Sequence, residues 1–255
     1  MKFSKYHGLG NDFIIVDRLE IDVSTVVALC NRHRGIGADG VLAVATHPDG
    51  RHEMVVYNAD GSIAEMCGNG LRCAAAYLKR NKQVDQDTAV IRTGAGPLTV
   101  RYRGDLVTAS LGQIHDWGNV SIEVSKQLIS GRYLSAGNPH FVIFDQVIKE
   151  QRHTLAPLIE KHSYFQDGAN VSFATVESNS AISLIVWERG CGFTQACGTG
   201  AGATASAGWL SGTIDDAPVV VTLPGGALTL SRHLNEVLMT GPAQHVFDGV
   251  WPKTL

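Results

Sequence analysis

The 255-residue sequence is short of several things, and each shortage removes a class of protein. Only 18% of residues are charged, and 21 Lys and Arg stand against 24 Asp and Glu, so no broad basic surface is available for nucleic acid. No run of about 20 consecutive apolar residues occurs, the length a membrane helix needs. The longest charge-free stretch, Gly190 to Ile214, is dominated by Gly, Ala, Ser and Thr, so no membrane span is expected. The first residues, MKFSKYHGLGNDF, lack the apolar segment and small-residue cleavage site of a secretory signal. There are five cysteines, an odd number, which without a signal read as reduced thiols in the cytoplasm. What is abundant is apolar material: 44% of the chain is hydrophobic, enough for a sizeable core and too much for disorder.

The chain repeats itself. Gly10-Asn11 precedes an apolar run, Phe13 to Val16, that ends at Asp17; Gly137-Asn138 precedes another, Phe141 to Phe144, that ends at Asp145. Downstream of each lies Cys-Gly-x-Gly: Cys67-Gly68-Asn69-Gly70, then Cys197-Gly198-Thr199-Gly200. The intervals from Asn to Cys are 56 and 59 residues. Each Cys-Gly-x-Gly follows a strand-like segment (Met54 to Tyr57, Ile182 to Trp187) and leads into an Ala-rich helical one (Leu71 to Lys79, Ala201 to Leu210). A period above 100 residues implies two related domains rather than a solenoid.

Further strands are expected at Thr99 to Tyr102, Leu106 to Leu111, Val219 to Leu223 and Ala227 to Leu230, with Pro224-Gly225-Gly226 as a hairpin turn. Other helices are expected at Ser24 to Arg32, with Ser24 as cap, and at Thr154 to His162. Many strands with one or two helices per half predict an α+β fold of two pseudo-symmetric domains. Each would wrap a mostly antiparallel sheet around a central helix, with the active site in the cleft between them. The expected boundaries are 1–114 for the half carrying Cys67 and 115–242 for the half carrying Cys197. Gln113 to Asp116 would be the linker, and 243–255 would return to the first half.

Gly35-Ile36-Gly37-Ala38-Asp39-Gly40 matches the spacing of a dinucleotide-binding loop, but a helix precedes it and a strand follows, the reverse of what that site needs. It reads as a turn lining a pocket. Gly198-x-Gly200-x-x-Ala203 has the better context, yet no acidic residue ends a following strand at the expected offset. The Cys67–Cys73 and Cys191–Cys197 pairs are both C-x5-C, which matches no usual zinc spacing, so no metal is expected. Cys30 and Cys73 read as small core residues, and Cys191 as filler or a spectator thiol.

Cys67 and Cys197 differ in kind. Each sits at the expected start of a helix, where unpaired N–H groups and the helix dipole favour a thiolate and can hold a carboxylate. A matched pair, one per half, suggests a thiol on either side of one substrate atom. Inverting a stereocentre needs one base and one acid on opposite faces, which a thiolate and a thiol supply without a cofactor. A cysteine hydrolase would leave the second Cys-Gly-x-Gly without a role, and a dithiol oxidoreductase would more often carry C-x-x-C.

At these residues the chain resembles the diaminopimelate epimerases. The resemblance runs through His7-Gly8-Leu9-Gly10-Asn11-Asp12-Phe13, Asn58-Ala59-Asp60-Gly61-Ser62, Cys67 to Gly70 and Arg72-Cys73. It continues in Gly137-Asn138-Pro139-His140, Asn170-Val171, Trp187 to Gly190, Ala196 to Gly200, Leu223 to Gly226 and Thr240-Gly241-Pro242. It implies a cofactor-independent enzyme that interconverts LL- and meso-diaminopimelate in lysine and cell-wall precursor synthesis, a cytoplasmic homodimer binding neither nucleic acid nor membrane. Cys67 and Cys197 would be the acid–base pair. Backbone at Gly68-Asn69 and Gly198-Thr199 would hold the reacting carboxylate. Asn11, Asn58, Asn138, Asn170 and Arg189 would recognise the substrate, and His140 and Glu188 would tune the thiols or hold the reacting ammonium. A buried Arg189 would be costly without an anionic ligand or partner. Three positions depart from common family patterns: Gly40 stands where many members have Gln, Phe193 where Glu is frequent, and Phe247 where a Tyr is associated with the dimer contact. A racemase for another amino acid, such as histidine, and a catalytically silent binding protein are the competing readings.

Overall fold

In the computed structural model, which describes residues 1–145, 147 and 149–252, the alternating apolar runs become strands and the Ala-rich runs become the two longest helices. A first compact unit takes in Met1–Ser110 and the chain from Thr240 onward. It is built from β1 (Lys2–Gly8), β2 (Asn11–Asp17), α1 (Val23–Cys30), β3 (Gly40–Thr46), β4 (His52–Asn58), β5 (Ile63–Ala64), α2 (Gly68–Arg80), β6 (Thr88–Thr93), β7 (Gly96–Arg103) and β8 (Leu106–Ser110). The second unit, Leu111–Met239, contains β9 (His115–Val124), β10 (Gln127–Ser135), β11 (Pro139–Phe144), α3 (Arg152–Glu160), β12 (Asn170–Ser178) and β13 (Ala181–Glu188). After these come β14 (Gly192–Phe193), α4 (Gly198–Ser211), β15 (Val219–Leu223), β16 (Gly226–His233) and the start of β17 (Glu236–Pro242). The last strand, β18 (Gln244–Val250), lies in the first unit.

Strand pairing is the same in both units, partner for partner. In the first, β18, β1 and β2 run antiparallel, β2 pairs β3 in parallel and β3 pairs β4 antiparallel. β4 then takes β5 antiparallel and β6 in parallel, and β6 takes β7 antiparallel. In the second, β9 through β16 repeat that series with every polarity kept. α1 and α3 occupy equivalent crossovers, and so do α2 and α4. The fold is α+β, two repeated units each with a mostly antiparallel sheet and a central helix.

Alternation along β2 explains how the first sheet serves two helices: Phe13 and Ile15 pack with Leu71, Ala74 and Leu78 of α2, while Ile14 and Val16 pack with Val26 and Leu29 of α1. In the second unit Phe141, Ile143, Val171 and Phe173 pack with Leu155 and Ile159 of α3. α4 is buried through Trp209, which its Gly, Ala, Ser and Thr residues permit by letting neighbours close in on every side. It ends at Gly212 in the left-handed conformation, φ 69°, with the Thr213 N–H returning to the Gly208 carbonyl at 3.0 Å.

Several boundaries differ from the sequence expectation. The units part at 110/111 and 239/240 rather than 114/115 and 242/243, because Leu111 N–H donates to the Val237 carbonyl at 2.8 Å and Val237 N–H to Gly112 at 3.0 Å. His115 and Asp116 belong to β9 rather than a linker, and the Asp116 carboxylate accepts two hydrogen bonds from Arg132 of β10, at 2.8 and 2.6 Å. α1 is capped by Asp22 rather than Ser24: its carboxylate accepts the Thr25 N–H at 2.8 Å and the hydroxyls of Ser24 and Thr25, where a serine hydroxyl would satisfy fewer donors. That helix stops at Cys30 rather than Arg32, since the Asn31 side chain accepts the N–H groups of His33 and Arg34 and turns the chain out. α3 starts two residues earlier than expected and ends at Glu160. The hairpin turn after β15 forms as expected, with Leu223 paired to Gly226.

The Gly35–Gly40 loop is held by charge. Asp12 pairs with Lys5 at 2.5 Å and with Arg32 at 2.6 Å, and Arg32 also reaches Asp39 at 2.7 Å. Lys5 donates to the Gly37 carbonyl as well. Among the described residues no helix is long and apolar enough to cross a membrane.

Candidate active site

Both Cys-Gly-x-Gly runs fold the same way. Cys67 leaves its strand-like segment with φ −140° and ψ 114°, Cys197 with φ −125° and ψ 106°, and each becomes the N-cap of its unit's central helix. The sulfur does what a serine or aspartate oxygen usually does at a cap: Cys67 Sγ accepts the Gly70 N–H and Cys197 Sγ the Gly200 N–H, both at 3.4 Å. Glycine at this third helical position has a steric reason. A Cβ on Gly200 would lie 3.2 Å from Cys197 Sγ and 3.0 Å from Val186; one on Gly70 would lie 3.5 Å from Cys67 Sγ and 3.0 Å from Leu42. Gly68 and Gly198 open the two helices, so the first-turn N–H groups point past each thiol.

The surroundings of the two sulfurs then diverge. Cys67 is half-buried, and the fully buried Arg72 guanidinium on the next turn bears electrostatically on it. Arg72 donates to Asn69 Oδ1 at 2.9 Å and, more weakly, to the Gly68 and Pro242 carbonyls at 3.4 Å. Cys197 is buried, and its thiol is pushed well up from the ordinary range, first by burial and then by the Glu188 carboxylate, against hydrogen bonds from Thr199 and Gly200. The expected lowering by a helix N-terminus is therefore outweighed at Cys197, because loss of water penalises the thiolate more than the Gly200 N–H and the Thr199 hydroxyl favour it. Thr199 Oγ1 lies 3.5 Å from the sulfur. Glu188 also accepts from Thr194 Oγ1 at 2.5 Å.

In the second unit the structure brings Asn138, His140, Asn170 and Arg189 into one chain of contacts. His140 and Asn170 face each other across the parallel β11–β12 pair. Burial, with the nearby Arg189 cation, lowers His140 to about 3, so the ring is neutral and its Nε2 bonds Asn138 Oδ1 at 3.0 Å. Asn170 donates to the Pro139 carbonyl at 2.8 Å and accepts the Arg189 N–H at 2.9 Å, which fixes the turn after β13. Arg189 is exposed rather than buried, so water carries its charge; Nη1 donates to the Asp167 carbonyl at 2.5 Å. Asn138 and Arg189 line a recess of about 770 Å³ together with Trp117, Tyr133, Ser135 and Asp167, a volume within the range of small-molecule sites.

In the first unit Asn11 begins β2 behind a tight turn in which Leu9 and Gly10 both have positive φ, 58° and 84°. Its Oδ1 is buried with no hydrogen-bond partner. Gly8, paired with Asn11, lies against Asn69 and Arg72 at the start of α2. Asn58 is exposed at the end of β4, and its side-chain amide donates to Ser62 Oγ at 2.9 Å, inside its own turn. Gly40 pairs with Asn58, and a Cβ there would meet the Tyr57 carbonyl at 2.5 Å, so this position admits no side chain as folded. Phe193 packs edge-on against Trp187 at 5.0 Å and His153 at 4.7 Å. Sequence reasoning passed over two groups. Arg72 lay inside a quoted motif, but only its burial draws attention to it. Glu160 carries no motif at all. Among the described residues no group of three or more His, Cys, Asp or Glu is placed to hold a metal ion.

The duplicated α+β architecture is also found among solved structures. A hydroxyproline epimerase from Agrobacterium vitis superposes with a TM-score of 0.71 at 14% identity, over 98% of this chain and 91% of that one. A phenazine biosynthesis protein of the PhzF family from Bacillus anthracis gives 0.76 at 12% identity over 98% of each chain. At such identities the likeness is one of fold. Sequence goes further: the diaminopimelate epimerase family pattern matches residues 3–115 and 132–246. Diaminopimelate epimerases from Halothermothrix orenii and Synechocystis sp. are each 38% identical over 276 and 274 aligned residues, covering 98% of this chain and 97% and 98% of theirs. The chain belongs to the diaminopimelate epimerase family and is an isomerase.

Proposed function

We propose that the enzyme interconverts LL- and meso-2,6-diaminopimelate by moving a proton at one α-carbon between Cys67 and Cys197. The observation that carries this reading is the pair of identical thiol caps, one per repeat, each at the head of a helix whose first-turn N–H groups can hold a carboxylate. Cys197, kept protonated by burial and by Glu188, is the resting acid. Cys67 takes the complementary part of base, and the roles exchange when the reaction runs backwards. First-turn N–H groups at Gly68-Asn69 and Gly198-Thr199 bind the reacting carboxylate and take up the charge that develops on it. No step in this scheme calls for a cofactor, since the two sulfurs supply both the base and the acid.

Substrate recognition at the far end is assigned to the recess of the second unit. There the Arg189 cation, the Asp167 carboxylate and the Asn138 amide suit a group that carries both carboxylate and ammonium. Neutral His140 orients Asn138, and Asn170 orients Arg189. Asn11 and Asn58 extend recognition from the first unit. The mechanism needs reduced thiols, and a reducing cytoplasm is the compartment that keeps them so. Val246, Phe247 and Val250 are exposed along β18, and a second copy of the chain is the partner assigned to this strand.

The test is α-deuterium exchange in D2O followed by NMR with no cofactor added, running LL-diaminopimelate beside L-lysine, L-glutamate and L-histidine. Exchange on diaminopimelate alone, with the meso form appearing, is the expected result. Exchange only on another amino acid would reassign the substrate, and no exchange from folded, reduced protein would leave a binding protein. Sedimentation velocity of the wild type against Phe247→Asp tests the dimer: the wild type should sediment as a dimer and the variant as a monomer.

A further inference from the structure

Glu160 ends α3, 28 residues before Glu188, and nothing in its sequence neighbourhood marks it. It is nevertheless buried, 7% exposed, and a buried carboxylate is costly unless both oxygens are satisfied. Both are, and both by one short stretch of chain. Trp187 Nε1 donates to Oε2 at 2.6 Å, and the Gly190 N–H donates to Oε1 at 3.1 Å. Glu160 thus grips the two ends of Trp187-Glu188-Arg189-Gly190. Its backbone adds a third tie, accepting the Ala169 N–H at 3.1 Å next to Asn170, which in turn accepts the Arg189 N–H. Gly168 closes the same corner: a Cβ there would lie 3.0 Å from the Glu160 carbonyl and 3.2 Å from Arg189 Cδ.

We infer that Glu160 is a positioning residue for substrate selection, clamping the turn that aims Arg189 into the recess of the second unit. This rests on the reading of Arg189 as a substrate-binding group. Glu160 never touches substrate; it acts by fixing the backbone turn from which the exposed Arg189 side chain, held at its far end by the Asp167 carbonyl, reaches the recess. A tie between helix and sheet with a purely structural purpose would satisfy its oxygens anywhere along β13. Here both bonds bracket the residue whose direction matters. A glutamine at 160 keeps the shape but can accept only through one atom, so either Trp187 or Gly190 then faces an amide NH2.

The experiment uses Glu160→Gln, Trp187→Phe, Arg189→Met and the double variant Glu160→Gln/Arg189→Met, each checked by near-UV circular dichroism. Steady-state kinetics are read with LL-diaminopimelate. Glu160→Gln should raise KM about fivefold or more with kcat within about twofold, and Trp187→Phe, which removes one donor while leaving Glu160 in place, should raise KM in the same direction. On the Arg189→Met background the Glu160→Gln effect on KM should vanish. An unchanged KM in Glu160→Gln, a fall in kcat alone, or the same KM factor on both backgrounds would overturn the inference while leaving Arg189 in its role. An unchanged KM in Arg189→Met would overturn the role of Arg189 and the inference with it. Should Glu160→Gln fail to fold, an unchanged KM in Trp187→Phe overturns the inference.

Discussion

Gly200 donates its backbone N–H to Cys197 Sγ over 3.4 Å, so the sulfur assigned to proton transfer also caps the helix that carries it. Serine is a better cap than cysteine, because oxygen is the stronger acceptor. Cys197→Ser, and Cys67→Ser by the same bond to Gly70, should therefore keep the melting temperature of the wild type or raise it slightly. Turnover should still fall at least about 100-fold, since an alcohol is a far poorer base than a thiolate. Calorimetry beside the exchange assay separates the two effects, and near-normal turnover in either variant would remove the two-thiol mechanism.

The glycines at the third helical position should tolerate alanine unequally. A Cβ at 200 would press on both Cys197 Sγ, at 3.2 Å, and Val186, whereas one at 70 would meet Cys67 Sγ at an ordinary 3.5 Å. Gly200→Ala is expected to cost about tenfold more turnover than Gly70→Ala, because a displacement of a few tenths of an ångström falls on the reacting atom. Equal losses in the two variants would contradict this.

Glu188 should set the alkaline limit of activity. Its carboxylate, after burial, is what holds the Cys197 thiol up, so replacing it by a neutral amide lets the proton leave at lower pH. The alkaline limb of kcat/KM in Glu188→Gln should move downward relative to the wild type. A limb that stays in place or moves upward would place the acid elsewhere.

Asp12 should tie stability to acid. Burial works against its charge, but hydrogen bonds from Arg32 and Lys5 win and hold the carboxyl at about 2, below its ordinary 3.8. The stabilisation is then fully present above about pH 4 and is lost as pH falls toward 2, on the order of 2 kcal/mol for a shift of this size. Asp12→Asn should lower the urea midpoint at pH 7, and its deficit should shrink between pH 4 and pH 2. A deficit constant across that interval would deny the charge its part.

The two thiols were legible because their chemistry is local: a Cys-Gly-x-Gly between a strand and an Ala-rich run defines a cap, whatever the rest of the chain does. The duplication itself followed from the matched motifs and their near-equal spacing, whereas the order in which the strands pair did not. Glu160 was not legible, since its meaning comes from Trp187 and Gly190, distant in sequence and joined to it only by folding. The state of Cys197 was misjudged for the same reason, because dipole direction can be read from a motif and burial cannot. Arg189, expected to be costly inside the protein, stands in water. The cap of α1 moved from Ser24 to Asp22 through competition between neighbours that offer nearly the same bond.

Five residues beyond each capping sulfur the repeat breaks: Arg72 on one helix, Gly202 on the other, where a Cβ would already meet Leu111 at 2.5 Å. The halves are therefore not interchangeable. A molecule made of two first halves would carry a buried cation near each thiol, and one made of two second halves a carboxylate beside each. Neither would set two thiols in the unlike electrostatic surroundings that the proposed exchange of a proton draws on. Alike in backbone and unlike in charge, the two halves gain from being joined: one polypeptide always delivers one of each, a pairing that free association of separate halves would reach only some of the time.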